Sequence, residues 1–252
     1  MKSILLTNDD GIEAEGLKAL SEALRNVAHV IIVAPDRERS AVSHGLTIHE
    51  RLKFQDAGPD SFSLNGTPAD CVIFALDKLL PAPPDMVISG INHGANIGDD
   101  IMYSGTVAAA REAARYGIPA IAVSQGFENG KKIKFRDGSE FMRDMVKSMF
   151  ESGLNGELLL NVNIPIGKIK GMKITRQGCF KNTRFNIPNG AGHPPLDFGH
   201  DLTFGLTEEE LLTDKQAFLG GYVSITPLRR DQTDYAAARA LSKIAGRLLW
   251  KR

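Results

Sequence analysis

Apolar residues in this chain come in short runs that end at Gly, Pro, Asn or Asp, and between those runs they recur at helical spacing. The first run, Ile4-Leu5-Leu6-Thr7, stops at Asn8-Asp9-Asp10-Gly11 and reads as a buried strand entering a turn. Leu17, Leu20 and Leu24 then predict a helix between Glu13 and Asn26. Val30-Ile31-Ile32-Val33-Ala34 is a second buried strand, ended by Pro35. Thr67-Pro68-Ala69-Asp70 has the form of a helix start. Thr67 can cap, Pro68 suits the first helical position, and Asp70 sits three residues after the cap. Met86-Val87-Ile88-Ser89 predicts the next strand, reaching Gly90. A helix follows around Val107 to Tyr116, closed by Gly117 and Pro119, and Ala120-Ile121-Ala122-Val123-Ser124 is another strand. Strands separated by helical patterns imply parallel βαβ units, and so an α/β fold with a doubly wound, mostly parallel sheet.

The second half has a different texture. From Gln177 to Gly205 the chain is rich in Gly, Pro and Asn with isolated Phe residues, which predicts short strands and extended arms that need a partner surface. Tyr222-Val223-Ser224-Ile225-Thr226-Pro227 alternates with period two and reads as a late strand. Asp234 to Trp250 is expected as a terminal helix with an apolar stripe at Leu241, Ile244 and Leu248. The expected division is therefore a core over residues 1–176 and an extension over 177–252.

Composition narrows the function. The 252 residues can bury a sizeable core. The 30 basic and 30 acidic side chains cancel without blocks of like charge, so binding to a nucleic-acid polymer is not expected. Cys71 and Cys179 lack metal-ligand spacing and read as reduced core or near-core residues. No apolar run reaches the roughly 20 residues that span a bilayer, and the first strand leaves no room for a signal peptide, so the expectation is a soluble cytoplasmic protein without membrane partners.

Polar clusters follow the predicted strands, where an open α/β sheet gathers its ligands. Asp9 and Asp10 are adjacent acids whose mutual repulsion, about 1 kcal/mol at 4 Å in water and more in a drier cleft, a hard divalent cation would relieve. The alternative is a plain Asp-Asp-Gly turn. Asp36-Arg37-Glu38-Arg39-Ser40 follows the second strand, although taken by itself it reads as a solvated charged loop. Ser89 to Gly98 combines three glycines with Asn92 and Asn96, whose amide oxygens suit a hard cation, although such composition also marks ordinary turns. Tyr103-Ser104-Gly105-Thr106 lies just before a helix, where free N–H groups and the helix dipole favour phosphate, while Ser104 or Thr106 could simply cap. His44 and His93 lie in polar loops where proton transfer is conceivable. A dinucleotide fingerprint, a P-loop and a serine-nucleophile elbow are all absent.

In this order the motifs resemble those of the survival protein E (SurE) nucleotidases over nearly the whole chain. They are Leu6 to Gly11, Ala34-Pro35-Asp36 with Arg39-Ser40, Asn65 to Val72, Ser89 to Asn96, Tyr103 to Ala109, Asn161-Val162-Asn163-Ile164-Pro165, and Gly221 to Leu228. The resemblance implies a Rossmann-like amino-terminal part, and a carboxy-terminal part exchanged between subunits of a homodimer or homotetramer. It also implies one divalent metal ion per subunit, Mg²⁺ or Mn²⁺, on Asp9, Asp10, Ser40 and Asn92. The activity implied is hydrolysis of nucleoside 5′- and 3′-monophosphates, with short polyphosphate as a side substrate. Such a metal polarises the phosphoryl group and activates a water. Asn8, Asn96, Ser104, Gly105 and Thr106 would contact phosphate or substrate. Asp9 and Asp10 would be catalytic, with Asp9 the candidate base. A different class of reading is a metal- and nucleotide-binding regulator without turnover.

Overall fold

The computed structural model describes residues 1–128, 130–153, 156–179 and 211–245. Its nine strands are β1 (Ser3–Thr7), β2 (His29–Pro35), β3 (Phe54–Gly58), β4 (Ser61–Leu64), β5 (Met86–His93), β6 (Ala120–Gln125), β7 (Leu159–Ile164), β8 (Met172–Ile174) and β9 (Val223–Pro227). The helices are α1 (Glu15–Leu24), α2 (Pro68–Phe74), α3 (Gly105–Arg115), α4 (Arg136–Ser152), α5 (Asp214–Leu219) and α6 (Tyr235–Ala245). All nine strands form one sheet in the order β3-β4-β2-β1-β5-β6-β7-β9-β8. From β4 through β7 neighbours pair parallel, whereas β3 against β4 and β9 against β7 are antiparallel. This is the expected α/β fold with a mostly parallel sheet.

The two-residue period of a strand sorts the core into two layers. Ile4 and Leu6 of β1 pack with Leu17, Leu20 and Leu24 of α1 and with Met142 and Val146 of α4. Leu5, between them, faces the opposite layer with Cys71 and Val72 of α2 and Ala110 and Ala114 of α3. Sheet faces covered on both sides explain why the central strands read as continuous apolar runs rather than alternating ones.

The predicted strands and helices of the first half are present, with shifted ends. Thr67 caps α2 in a full box with Asp70, and Pro68 occupies the first turn. A single π-helical turn, Ala75–Leu79, extends α2. The third helix starts two residues earlier than Val107, because Ser104 is its cap. The hairpin β3–β4, the long amphipathic α4, β7, β8 and α5 are additions that the apolar pattern does not single out. In the second half β9 realises the late strand. The expected arm lies outside the described residues beyond 179, as does Leu248. The described part of the terminal helix is α6, with Leu241 61% and Ile244 48% exposed. Both cysteines are free, and Cys71 is core, whereas Cys179 is exposed rather than near the core. No helix among the described residues is long and apolar enough to cross a membrane.

Candidate active site

The chain runs from β1 outward through β2 to β4, then returns to the other side of β1 as β5 and continues to β6 and β7. The crevice at the carboxyl ends of β1 and β5 is thus the switch point of the sheet, the place where such folds bind ligands. The Asn8–Gly11 turn sits there. Asn8 closes it with its own carboxamide: Nδ2 donates to the Gly11 carbonyl at 2.8 Å and Oδ1 accepts from the Gly11 N–H at 3.2 Å. Gly11 has φ +99°, a conformation L side chains rarely adopt. Asn8, expected among the phosphate contacts, is fully buried and holds the turn that aims the next two residues.

Asp9 is only 5% exposed. Its Oδ2 accepts from the Thr106 N–H at 3.0 Å and its Oδ1 accepts a short bond from the Thr106 hydroxyl. Burial pushes its pKa up from 3.8 to about 6; the Thr106 bonds oppose the rise and the neighbouring Asp10 charge adds to it. Asp10 Oδ2 accepts from the His93 N–H at 2.9 Å. Its pKa is also raised, mainly by burial, with Glu38 contributing and the His93 amide opposing. Two adjacent acids held at raised pKa form a site that favours cations, since a nearby positive charge would restore both to the ionised state.

The loop after β2 reaches this pair through the backbone: the Arg39 N–H donates to the Asp9 carbonyl at 2.7 Å. Arg39 also bonds the Asn65 carbonyl and lies 3.6 Å from Asp36. Ser40 is exposed and donates to Glu38 at 2.6 Å, keeping its oxygen lone pairs. Asn92 donates through Nδ2 to the Gly94 carbonyl at 2.7 Å. Among the described residues nothing donates to Asn92 Oδ1, so its oxygen is available. His93 contributes its backbone to Asp10, while its ring lies against Phe127 with centroids 4.7 Å apart. His44 is engaged elsewhere, 2.9 Å from the buried Glu112 of α3.

On the far side of Asp9 stands the amino end of α3. Ser104 Oγ accepts from the Val107 N–H at 3.1 Å, so it caps the helix, and its own O–H can still donate. Thr106 is committed to Asp9. The Gly105 N–H has no acceptor among the described residues and points from the positive end of the helix dipole. Gly105 must be glycine for steric reasons: a Cβ there would lie 2.9 Å from Asp9 Cβ and 3.0 Å from Asp9 Oδ2. Asn96, in the loop after β5, donates through Nδ2 to Ser124 Oγ of β6 at 2.8 Å.

The donor set fits a hard divalent ion. No group of three or more His, Cys, Asp or Glu able to hold a metal occurs among the described residues. A cation here would rest on two carboxylates and the neutral oxygens of Asn92 and Ser40, completed by water or phosphate. Such oxygen ligation suits Mg²⁺ or Mn²⁺ better than zinc. Sequence reasoning assigned no role to Ser124, Asn161 or Asn163, which hold Asn96. The available signal was two carboxamides at i and i+2 in an otherwise apolar strand, which share one face.

Comparisons with known proteins identify the family. The family model described as survival protein SurE matches residues 4–184. A protein named 5′-nucleotidase SurE from Geobacter metallireducens is 44% identical over 245 residues, covering 94% of this chain and 95% of that protein. The protein of the same name from Syntrophotalea carbinolica is 40% identical over 244 residues, 95% and 96% of the two chains. The crystal structure of the SurE protein from Aquifex aeolicus superposes with a TM-score of 0.80 at 40% identity, covering 96% of this chain and 99% of that one. With matches of this extent in both sequence and fold, the chain belongs to the survival protein SurE family.

Proposed function

We propose that the protein is a divalent-metal-dependent nucleotidase that releases phosphate from nucleoside 5′- and 3′-monophosphates, with short polyphosphate as a side substrate. The observation that carries this reading is the pairing of Asp9 with the amino end of α3. A cation-attracting carboxylate pair and a free helical N–H meet across the same crevice, so one site suits a metal and the phosphate bound to it. The names borne by the relatives support the nucleotidase class.

Asp9, Asp10, Ser40 and Asn92 would hold Mg²⁺ or Mn²⁺, which supplies Lewis-acid polarisation of the phosphoryl group when bound. The chain's own groups do the rest. The Gly105 N–H, the Ser104 hydroxyl and the Asn96 carboxamide hold the non-bridging phosphate oxygens and meet the charge that develops in transfer. The absence of a Cβ on Gly105 lets the helix end lie against Asp9, so a phosphate held there would lie near that carboxylate. Asp9, ionised beside a bound cation, is the candidate to accept a proton from the attacking water at Oδ1 or Oδ2. The Thr106 hydroxyl and amide orient it.

The same reading takes residues 177–252 as an extension whose segments other than β9 and α5, which pack within this chain's own sheet and fold, are exchanged in a homodimer or homotetramer. The exposed Tyr235, Leu241 and Ile244 of α6 support it, since one helix presents three large apolar side chains to solvent. It also takes the enzyme to be cytoplasmic, the compartment that holds nucleoside monophosphate pools.

The test is phosphate release from a panel of 5′- and 3′-mononucleotides and short polyphosphates with Mg²⁺, Mn²⁺ or EDTA, beside Asp10→Ala. Release that needs metal and is lost in the variant is expected, and kcat/KM ranks the substrates. Nucleotide binding without release under any metal would replace the enzyme with a non-catalytic regulator.

A further inference from the structure

The segment that carries Asn96 has no regular secondary structure between β5 and the 3₁₀ turn at Gly98–Met102, yet alternate residues of it are gripped at both peptide groups. Gly94 donates to the Gln125 carbonyl at 2.9 Å and accepts from Asn92 Nδ2. Asn96 donates to Asn163 Oδ1 at 2.7 Å, and its carbonyl accepts from Asn163 Nδ2 at 3.1 Å and Asn161 Nδ2 at 2.8 Å. Gly98 donates to Asp214 Oδ2 at 2.8 Å and accepts from Gln177 Nε2 at 3.0 Å. Apart from the Gln125 carbonyl, side chains thus supply a hydrogen-bond ladder like one a neighbouring strand would give. At its centre, the Asn163 carboxamide closes a two-point ring on the N–H and C=O of one residue, Asn96.

Asn161 and Asn163 are anomalous as strand residues. Both are fully buried, and the other residues of β7 are Leu159, Leu160, Val162 and Ile164. Among the described residues Asn161 Oδ1 has no partner, a desolvation cost that an aliphatic side chain would avoid. Asn163 also extends a polar row: Asn92, Ser124, Asn163 and Ser224 stand opposite one another across β5, β6, β7 and β9. The row leads from the oxygen offered to a metal to the groups that set Asn96.

We propose that Asn161 and Asn163 are positioning residues for phosphate. By fixing the Asn96 backbone they aim its carboxamide, with Ser124 holding one Nδ2–H and leaving Oδ1 and the second Nδ2–H for a ligand. This rests on the reading of the crevice as a phosphate site. The side chains touch neither metal nor substrate in it, and they act through Asn96. Removal of such a support typically lowers activity by about 10–100-fold, because a misplaced contact forfeits binding that a correctly aimed one would supply.

The experiment compares wild type with Asn163→Ala, Asn161→Ala and Thr175→Val, at saturating Mn²⁺. Thr175 forms a buried hydroxyl pair with Thr226, 2.8 Å apart, and serves as a control for generic loss of stability in the same sheet. Measured are kcat/KM on a nucleoside monophosphate, the inhibition constant of inorganic phosphate, Mn²⁺ affinity and Tm. Asn163→Ala is expected to lose about 10–100-fold in kcat/KM and to weaken phosphate inhibition about tenfold, with Mn²⁺ affinity within about twofold. Asn161→Ala, which removes one of three bonds, should move the same way by a smaller factor, and it carries the test if Asn163→Ala does not fold. Asn163→Asp adds a signature that loss of stability would not give. Its carboxyl donates to the Asn96 carbonyl only when protonated, so its deficit in phosphate affinity relative to wild type should shrink as pH falls. Unchanged phosphate inhibition in folded Asn163→Ala or Asn161→Ala, or an equal loss in Thr175→Val at equal Tm, would overturn the proposal. Absence of turnover in the wild type would instead count against the nucleotidase reading.

Discussion

Replacing Asp9 with asparagine should stabilise the metal-free protein while abolishing its response to metal. Raising a buried carboxyl from 3.8 to about 6 means that its ionised form costs the fold about 3 kcal/mol near neutrality, at roughly 1.36 kcal/mol per pH unit. Asp9 is 5% exposed, so water screens little of this. The folded value lies above the unfolded one. The native state therefore holds a proton that the unfolded chain releases, and this group's penalty is absent below about 4 and complete once pH rises past about 6. Asp9→Asn removes the charge and can keep both contacts, with its oxygen accepting from the Thr106 N–H and its Nδ2 donating to the Thr106 hydroxyl. Allowing for imperfect geometry, the gain at pH 7.5 in EDTA should be about 1–3 kcal/mol, several degrees in Tm at about 2–4 °C per kcal/mol. By pH 5 the gap should fall to about half. Mn²⁺ at a hundredfold its dissociation constant should raise wild-type stability by about 2.7 kcal/mol and leave the variant nearly unchanged. Thermal melts at both pH values, with EDTA or Mn²⁺, read all of this. A variant that melts below wild type at pH 7.5 in EDTA, with the same pH slope, would refute the account of Asp9 as a charge buried in readiness for a cation.

Other consequences are simpler to test. Gly105→Ala puts a Cβ against Asp9 and should cost about 100-fold in kcat/KM with a much smaller change in Tm, as steady-state kinetics and melting will tell. Thr67→Ala breaks the capping box and the bond to the Gly45 carbonyl, so it should lower stability by about 1–2 kcal/mol in urea titration while turnover is retained. Burial raises the Glu112 pKa, but hydrogen bonds from His44 and Arg115 outweigh it and hold the carboxyl below its usual range. Its contribution is therefore present above the ordinary carboxylate range and fades as pH falls through the folded value. Glu112→Gln should cost about 1–2 kcal/mol at pH 7, discounted because both partners are partly exposed, and the difference should narrow towards pH 4.

The parallel sheet was legible because each central strand is buried on both faces and ends at a turn residue, so Ile4-Leu5-Leu6 and Val30 to Ala34 announce themselves. The α2 start was legible because Thr67, Pro68 and Asp70 act within four residues of one another. Strands β3 and β4 were not, since Phe54-Gln55-Asp56-Ala57-Gly58 sits at an exposed edge where no apolar face is required. The long α4 hides its stripe of Gly138, Met142, Val146 and Met149 among charged residues that only a defined partner face makes meaningful.

For the site the division is sharper. Which residues could chemically serve, adjacent carboxylates after a strand, carboxamides in a glycine-rich loop and a helix start suited to phosphate, is a property of local sequence. The motif order across the chain was enough to name the family. The roles within that set were decided by contacts between segments far apart in the chain. Asn8 turned inward to close its own turn. Asp9 found both of its partners in Thr106, 97 residues away. The Asn96 backbone is held by Asn163, 67 residues away. Local sequence determines what a backbone segment can become and what its side chains can donate or accept. Burial and pairing across the sheet determine which of those capacities is already satisfied, and hence which is left for a ligand.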